Sequence, residues 1–221
     1  MSKRPGLIRS LPFGLYMGIM VLDPILSPLL PAGLDERWLY GVKVGLVLVA
    51  LAALWRHYSE LTNLSSARGS DWVWGLGIGA AVFVLWVNLD FKPLAFAAAE
   101  GFDPRTGGRV NLGMAAMRLA GAVLIVPIME ELFWRSFIFR WLQKPSFLSV
   151  DPKVVGLVPL IISSALFASE HRLWFAGLLA GLAYGWLYKR SGNLWVPILA
   201  HAVTNGLLGA YVLSTGSWGF W

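Results

Sequence analysis

Cysteine is absent from the 221 residues. A disulfide framework, a thiolate metal site and a cysteine nucleophile are therefore all excluded. Charge is scarce as well: 14% of the residues are charged, against about 25% in ordinary soluble domains. Only three histidines occur, so the position of each one is informative. No block of five or more basic residues accompanies the net charge of +6, which suits basic loops at an anionic leaflet and gives no reason to expect a nucleic-acid partner.

Apolar sequence fills the space: 57% of the chain is hydrophobic, with 12 Trp and 12 Phe. Several runs reach the roughly 18 to 20 residues that a bilayer-spanning helix needs. A soluble domain of this size would be left with large exposed apolar patches. The expectation is an all-α, polytopic transmembrane helical bundle forming a single integral membrane domain over 1–221. About seven spans are drawn at 11–31, 38–55, 72–89, 112–133, 154–169, 174–188 and 194–213. Trp38, Trp55, Trp72, Trp174 and Trp195 lie at or near their ends, where indole favours the headgroup zone. The opening MSKRPGLIRS and its apolar run read as a retained first span, since no small-x-small cleavage site follows.

Pro24, Pro28, Pro127, Pro159 and Pro197 interrupt the drawn spans. A membrane tolerates this when neighbouring helices satisfy the freed carbonyls. With the N-terminus inside, that face receives Lys3, Arg4, Arg9, Arg56, Arg68, Arg135, Arg140, Lys144, Lys153, Lys189 and Arg190. The other receives Arg37, Lys92, Arg105, Arg109 and Arg172. The imbalance predicts a multi-pass protein of the cell (inner) membrane with a cytoplasmic N-terminus.

Charged and imidazole side chains within spans mark functional paths, because inserting one costs roughly 2.5 to 3.5 kcal/mol. Three groupings stand out. In PIMEELFWRSF, Glu130 and Glu131 diverge by about 100° around a helix, while Glu131 and Arg135 share a face. Arg135 can hold Glu131 ionised and leave Glu130 to point elsewhere, and two carboxylates in unlike surroundings suit acid–base work. The plain alternative is a surface ion pair at a helix end. In ALFASEHRLWF, Phe167 and His171 share a face; a helix that simply ends in polar residues, with Glu170 and Arg172 alongside, is the alternative. In LWVPILAHAVTNGLLGAY, His201 and Asn205 share a face deep in an apolar span. A polar clamp between helices competes there with catalysis. His57 lies in a polar loop.

EELFWR, FASEH and HAVTN, in that order, resemble the EExxxR, FxxxH and HxxxN motifs of the CAAX protease and bacteriocin-processing (Abi) family. AGLLAGLAYGWLYKRSGNLWVPILAHAVTN also looks like that family's link between its second and third motifs. The similar region is a core of about 112–213, and a looser likeness exists to the CAAX-protease-related proteins that accompany exosortase systems. The resemblance implies an intramembrane endopeptidase acting on a membrane-associated peptide or protein. Glu130 would activate a water with help from His171. His201 and Asn205 would stabilise the oxyanion, while Glu131, Arg135 and Phe167 support them. A zinc site of Glu130, His171 and His201 is the alternative; a metal-free glutamate mechanism with no cofactor is preferred, since no HExxH is present and Asn donates well to an oxyanion.

Two other readings remain beside it: a non-catalytic immunity or scaffolding factor of the same fold, and a transporter or proton relay using Glu130, Glu131 and Arg118. The relay predicts polar residues in several early spans, where only Asp23, Lys43 and Asn88 occur. One inconsistency accompanies the drawn spans. Glu130 falls near the inner end of the fourth, whereas His171 falls at the far end of the fifth, up to about 27 Å from Lys153 by the helical rise. Either span five is broken, tilted or later in starting, or His171 lies outside the site.

Overall fold

The structure, a computed structural model, describes residues 4–31, 33–96 and 101–221. Lys3 and residues 97–100 of the loop at 90–111 lie outside that set. The described residues form seven principal helices: α1 Pro5–Leu26, α2 Trp38–Leu54, α3 Gly69–Asn88, α4 Leu112–Trp141, α5 Leu157–Ala168, α6 Trp174–Ser191 and α7 Trp195–Thr215. A two-residue ribbon, β1 Arg105–Thr106 with β2 Arg109–Val110, turns through Gly107 and Gly108, both at positive φ. The protein is a multi-pass, polytopic helical bundle. Helices α1, α2, α3, α4 and α7 are long and apolar enough to cross a bilayer. Helix α5 is a shorter apolar helix of 12 residues, and α6 is buried along one face by Ala176, Ala180, Tyr184 and Leu187. Outward-facing side chains such as Val21, Val49, Val73, Leu124 and Leu157 are exposed, as a lipid-facing surface requires.

Two expectations need correction. Span four does not stop at 133 but continues to Trp141, a helix of 30 residues. The charges assigned to the inner face beyond 133 are neutralised inside: Arg135 pairs with Glu131, and Arg140 pairs with Glu60. Pro159 and Pro197 break nothing either. Each sits in the first turn of its helix, α5 or α7, where a missing N–H goes unnoticed. Pro28 lies beyond α1 in a 3₁₀ turn. Pro127 follows a π-helical stretch of α4, Gly121–Ile125, and a second such stretch covers Leu132–Ile138. Proline removes a helix donor, and π segments occur where a helix absorbs an extra residue, frequently at functional sites.

Small residues set the helix spacing. A Cβ on Gly79 of α3 would lie 2.5 Å from the Ala200 carbonyl oxygen of α7, and one on Gly181 of α6 would lie 2.9 Å from Ser164 Cα of α5. Backbones approach this closely only where side chains are absent.

One end of the bundle is tied by a buried ionic knot. Arg9 of α1 donates to Glu60, Arg140 of α4 donates to the same carboxylate at 2.7 Å, and Ser136 hydrogen-bonds it as well. Burial opposes ionisation of Glu60, but Arg9, Ser136 and Arg140 outweigh it and hold the carboxyl at about 2. A carboxylate lowered on folding adds stability that is complete above its unfolded value, near 4.5, and is lost as pH falls toward the folded one. We therefore expect the detergent-solubilised protein to melt at a constant temperature from pH 8 to about 5 and to weaken steadily below that. Glu60→Gln should remove most of that slope and destabilise at neutral pH by about 3 kcal/mol, since it leaves two buried guanidinium groups without their anion. Thermal melts of both forms across pH test this, and parallel curves would refute it.

Candidate active site

A cavity of about 230 Å³ lies between α1, α3, α4, α5, α6 and α7. Glu130, Phe167, His171, His201 and Asn205 all line it. Glu131 and Arg135 stand directly behind His201 and complete the set named from the sequence. The depth conflict disappears with the corrected helices. Glu130 stands 11 residues from the Trp141 end of α4, about 17 Å by helical rise, and the twelve residues of α5 span about 18 Å. Both therefore reach a similar level in the bundle.

Helix α4 supplies the carboxylates. Glu131 is fully buried and takes Arg135 Nη1 at 3.1 Å, the pairing that four-residue spacing predicts. On the same oxygen, Oε1, it accepts His201 Nδ1 at 3.0 Å. Glu130 turns the other way, its Oε2 buried without a hydrogen-bond partner and 3.9 Å from His201 Nε2. His201 is thus gripped at one nitrogen and faces a second carboxylate with the other. A carboxylate on Nδ1 fixes the tautomer and the ring plane.

Aromatic rings hold this charge cluster. Tyr184 of α6 stacks on the His201 imidazole at 5.2 Å and 22°, and its hydroxyl donates to Thr204 Oγ1 at 2.7 Å. Thr204 in turn donates to the carbonyls of Gly79 and Ala200. Phe167 sits at the centre. Arg135 Cζ lies 4.3 Å from its ring, and the His171 and His201 rings lie 4.6 and 6.3 Å away. A guanidinium over an aromatic face gains attraction without another anion.

His171 follows α5 by a tight turn. Its Nδ1 is 2.8 Å from the Phe167 carbonyl oxygen and its ring meets Trp86 of α3 edge-on at 5.3 Å. The turn is clipped to the end of α3 by a two-point pair between Arg172 and Asp90 at 2.7 and 2.9 Å. That hydrogen-bonded guanidinium holds the Asp90 carboxyl below the usual range. Asn205 donates Nδ2 to the carbonyl of Ala122, within the first π stretch, at 2.8 Å. An amide nitrogen has two hydrogens, so one is committed to α4 and one is left for the cavity.

Among the described residues no group of three His, Cys, Asp or Glu side chains has the spacing of a metal site. Glu130, His171 and His201 share a cavity without converging on a point. As placed, these three side chains are not grouped as metal ligands.

The comparisons with known proteins fall on this same region. Residues 112–207 match the family model "Type II CAAX prenyl endopeptidase Rce1-like". This segment is similar to that family. It begins at α4 and ends just beyond Asn205, so it contains Glu130, Glu131, Arg135, Phe167, His171, His201 and Asn205. Among curated proteins, "Putative membrane peptidase YdiL" of Bacillus subtilis (strain 168) is 32% identical over 84 residues, which cover 37% of this chain and 32% of that protein. The match thus spans about a third of the length of that relative. No solved structure matches the chain. The resemblance of the three motifs to the CAAX protease family is borne out, and helices α1 to α3 stand outside the Rce1-like segment.

Several lining residues escaped the sequence reading. Tyr184, Thr204, Trp86, Tyr16 and Glu170 all border the cavity. Tyr184 recurs four residues after Ala180 on a face of small residues, which reads as helix packing. From the sequence Glu170 reads as a helix-end charge; its place directly before His171 is the available signal.

Proposed function

We propose that this chain is an intramembrane endopeptidase in which Glu130 is the general base that activates a water molecule. The observation that carries the reading is a single geometry: Glu130 Oε2, buried without a hydrogen-bond partner, facing an imidazole that Glu131 clamps from behind, in a cavity between the helices. Two groups 3.9 Å apart are beyond a direct hydrogen bond and suit a shared water. Glu130 takes the proton as the oxygen attacks the scissile carbonyl, then returns it to the leaving amine. His201 Nε2 faces the developing oxyanion, while Glu131 holds the other ring nitrogen. The free hydrogen of Asn205 Nδ2 is the second donor. His171, held by the Phe167 carbonyl, assists at Glu130.

The substrate in this reading is a membrane-associated peptide, prenylated or otherwise anchored. The protein sits in the cell membrane with the Arg9–Glu60–Arg140 end cytoplasmic, as the excess of basic residues at that end supports. The test incubates purified protein with prenylated, acylated and unmodified apolar peptides and locates cut sites by mass spectrometry. Internal cleavage giving the free acid, with no hydroxamate when hydroxylamine is added, is expected for direct attack by water. Hydroxamate would replace the mechanism with a covalent one, and an uncut panel would remove the peptidase reading.

A further inference from the structure

His171 stands on the five non-helical residues, 169–173, that join α5 to α6. Its own bonds are local. The His171 amide donates to the Ala168 carbonyl at 3.1 Å, and Nδ1 lies 2.8 Å from the Phe167 carbonyl oxygen. Both partners belong to the end of α5. They shape the turn without fixing where it lies relative to Glu130 on α4. That constraint has to come from other parts of the fold.

Three elements supply it. Helix α6 forms the floor: a Cβ on Gly177 would lie 3.2 Å from Ala168 Cα and 3.4 Å from His171 Cβ. Trp86 of α3 is a wall, edge-on to the imidazole at 5.3 Å. The segment 90–96, which follows α3, straps the turn from the far side. Its Phe96 amide donates to the Arg172 carbonyl at 2.8 Å. The Phe175 amide donates to the Leu94 carbonyl at 3.4 Å, and Trp174 Nε1 donates to the Pro93 carbonyl at 3.0 Å. Asp90 accepts both arms of the Arg172 guanidinium. Arg172, the residue after His171, is thus held by its main chain and its side chain at once. The pair is partly open to the surroundings, 20% for the Arg172 side chain and 32% for Asp90. A partly exposed ion pair adds little to overall stability, whereas a two-point fork fixes direction. Such a pair is better suited to placing a neighbour than to holding a bundle together.

We propose that Asp90 and Arg172 are positioning residues for His171, and that the segment 90–96 sets the place of the imidazole in the cavity from outside the matched stretch 112–207. The part His171 plays in hydrolysis rests on the peptidase reading; its placement by the strap does not. His171 lines the cavity, while Asp90 and Arg172 stand behind it and are not among the lining residues. They therefore meet no peptide lying there and act only through the histidine. A displacement near 1 Å in such a group can cost about 10² in rate. Loosening the fork should lower kcat and spare KM, because the walls that hold the peptide stay where they are.

The test uses full-length protein in detergent micelles, isotopically labelled at histidine for NMR. Only three histidines occur, so three sets of ring signals report, and His57→Gln and His171→Gln assign them. Asp90→Asn and Arg172→Gln should each shift or broaden the His171 signals and leave those of His201 in place, with melting temperatures almost unchanged. Each should lower kcat by about tenfold or more while KM stays within about twofold. Arg172→Lys keeps the charge and loses the fork. It should show the same pattern in weaker form, and it carries the test if a neutral variant fails to fold. Exchanging the pair, Asp90→Arg with Arg172→Asp, should restore both readings. His171 signals unmoved by every variant, His201 moving equally, a loss carried by KM alone, or no recovery in the exchanged pair would overturn the proposal. The two readings fail separately. A wild-type protein that cleaves nothing, yet shifts His171 in Asp90→Asn, loses only its peptidase assignment. One that cleaves, with His171 unmoved by the variants, loses only the positioning pair.

Discussion

Glu130→Gln should lower peptide hydrolysis by about 10² to 10⁴-fold, the range of a lost general base, and leave folding almost untouched. The two side chains have the same shape, so the cavity keeps its walls. Glutamine cannot take up the proton that the attacking water must release. Stability is spared for a reason visible in the site: Glu130 Oε2 makes no hydrogen bond, and the cluster of Glu131, Arg135 and His201 is held together without it. Single-turnover cleavage rates and melting temperatures in one detergent give the two readings. A variant that cuts at the wild-type rate would remove Glu130 from the mechanism. A variant that fails to fold would instead show that the carboxylate has a structural partner.

The second large effect is expected at a residue without a side chain. Gly79→Leu should leave little folded protein. A Cβ at this position would lie 2.5 Å from the Ala200 carbonyl oxygen and 2.9 Å from Val203 Cβ, and a backbone oxygen cannot rotate aside as a side chain can. Overpacking typically costs about 1 to 3 kcal/mol; here the obstruction is main chain, so the cost should exceed that range. The damage also has a direction. Helix α7 carries His201 and Asn205, and Gly79 O accepts from Thr204 at 2.8 Å. Forcing α3 and α7 apart moves the imidazole from Glu130, and a displacement near 1 Å can cost about 10² in rate. Gly77→Leu, on the same helix, is the control, since nothing lies within 4 Å of its added carbon. Size-exclusion profiles and thermal melts of the two variants should diverge sharply, and matching profiles would refute the packing argument.

The sequence made the bundle legible because apolar runs of membrane length are hard to build any other way. Its boundaries failed where charge was read as water. Arg135 and Arg140 look like residues beyond a span, yet Glu131 on the same helix and the distant Glu60 take them into the interior. No pattern along α4 announces Glu60. Likewise Pro159 and Pro197 look like breaks until the helix starts are known.

Glu130, Glu131, His171, His201 and Asn205 were readable as candidates since polar groups stand out against lipid-soluble sequence. Their supporting rings were not. Phe167 was picked up through the motif, but Tyr184 is one aromatic among many, and only the fold reveals that it stacks on His201. The Lys43 and Arg118 pair was visible as isolated polar residues on different spans. That they meet around Tyr40 is a tertiary fact.

The first π stretch of α4 also determines what can face what. On an uninterrupted α-helix, positions twelve apart are turned by about 120° from each other, since each residue adds about 100°. Arg118 and Glu130 would then look out of different sides. The extra residue accommodated at Gly121–Ile125 makes the count behave like eleven, for which the turn is only about 20°. The wide coil thus works as a phase corrector, bringing a cation and a base onto a common azimuth. Relatives that lack the added residue would present a different side chain beside Tyr40, and aligning them without a one-position gap would hide the change.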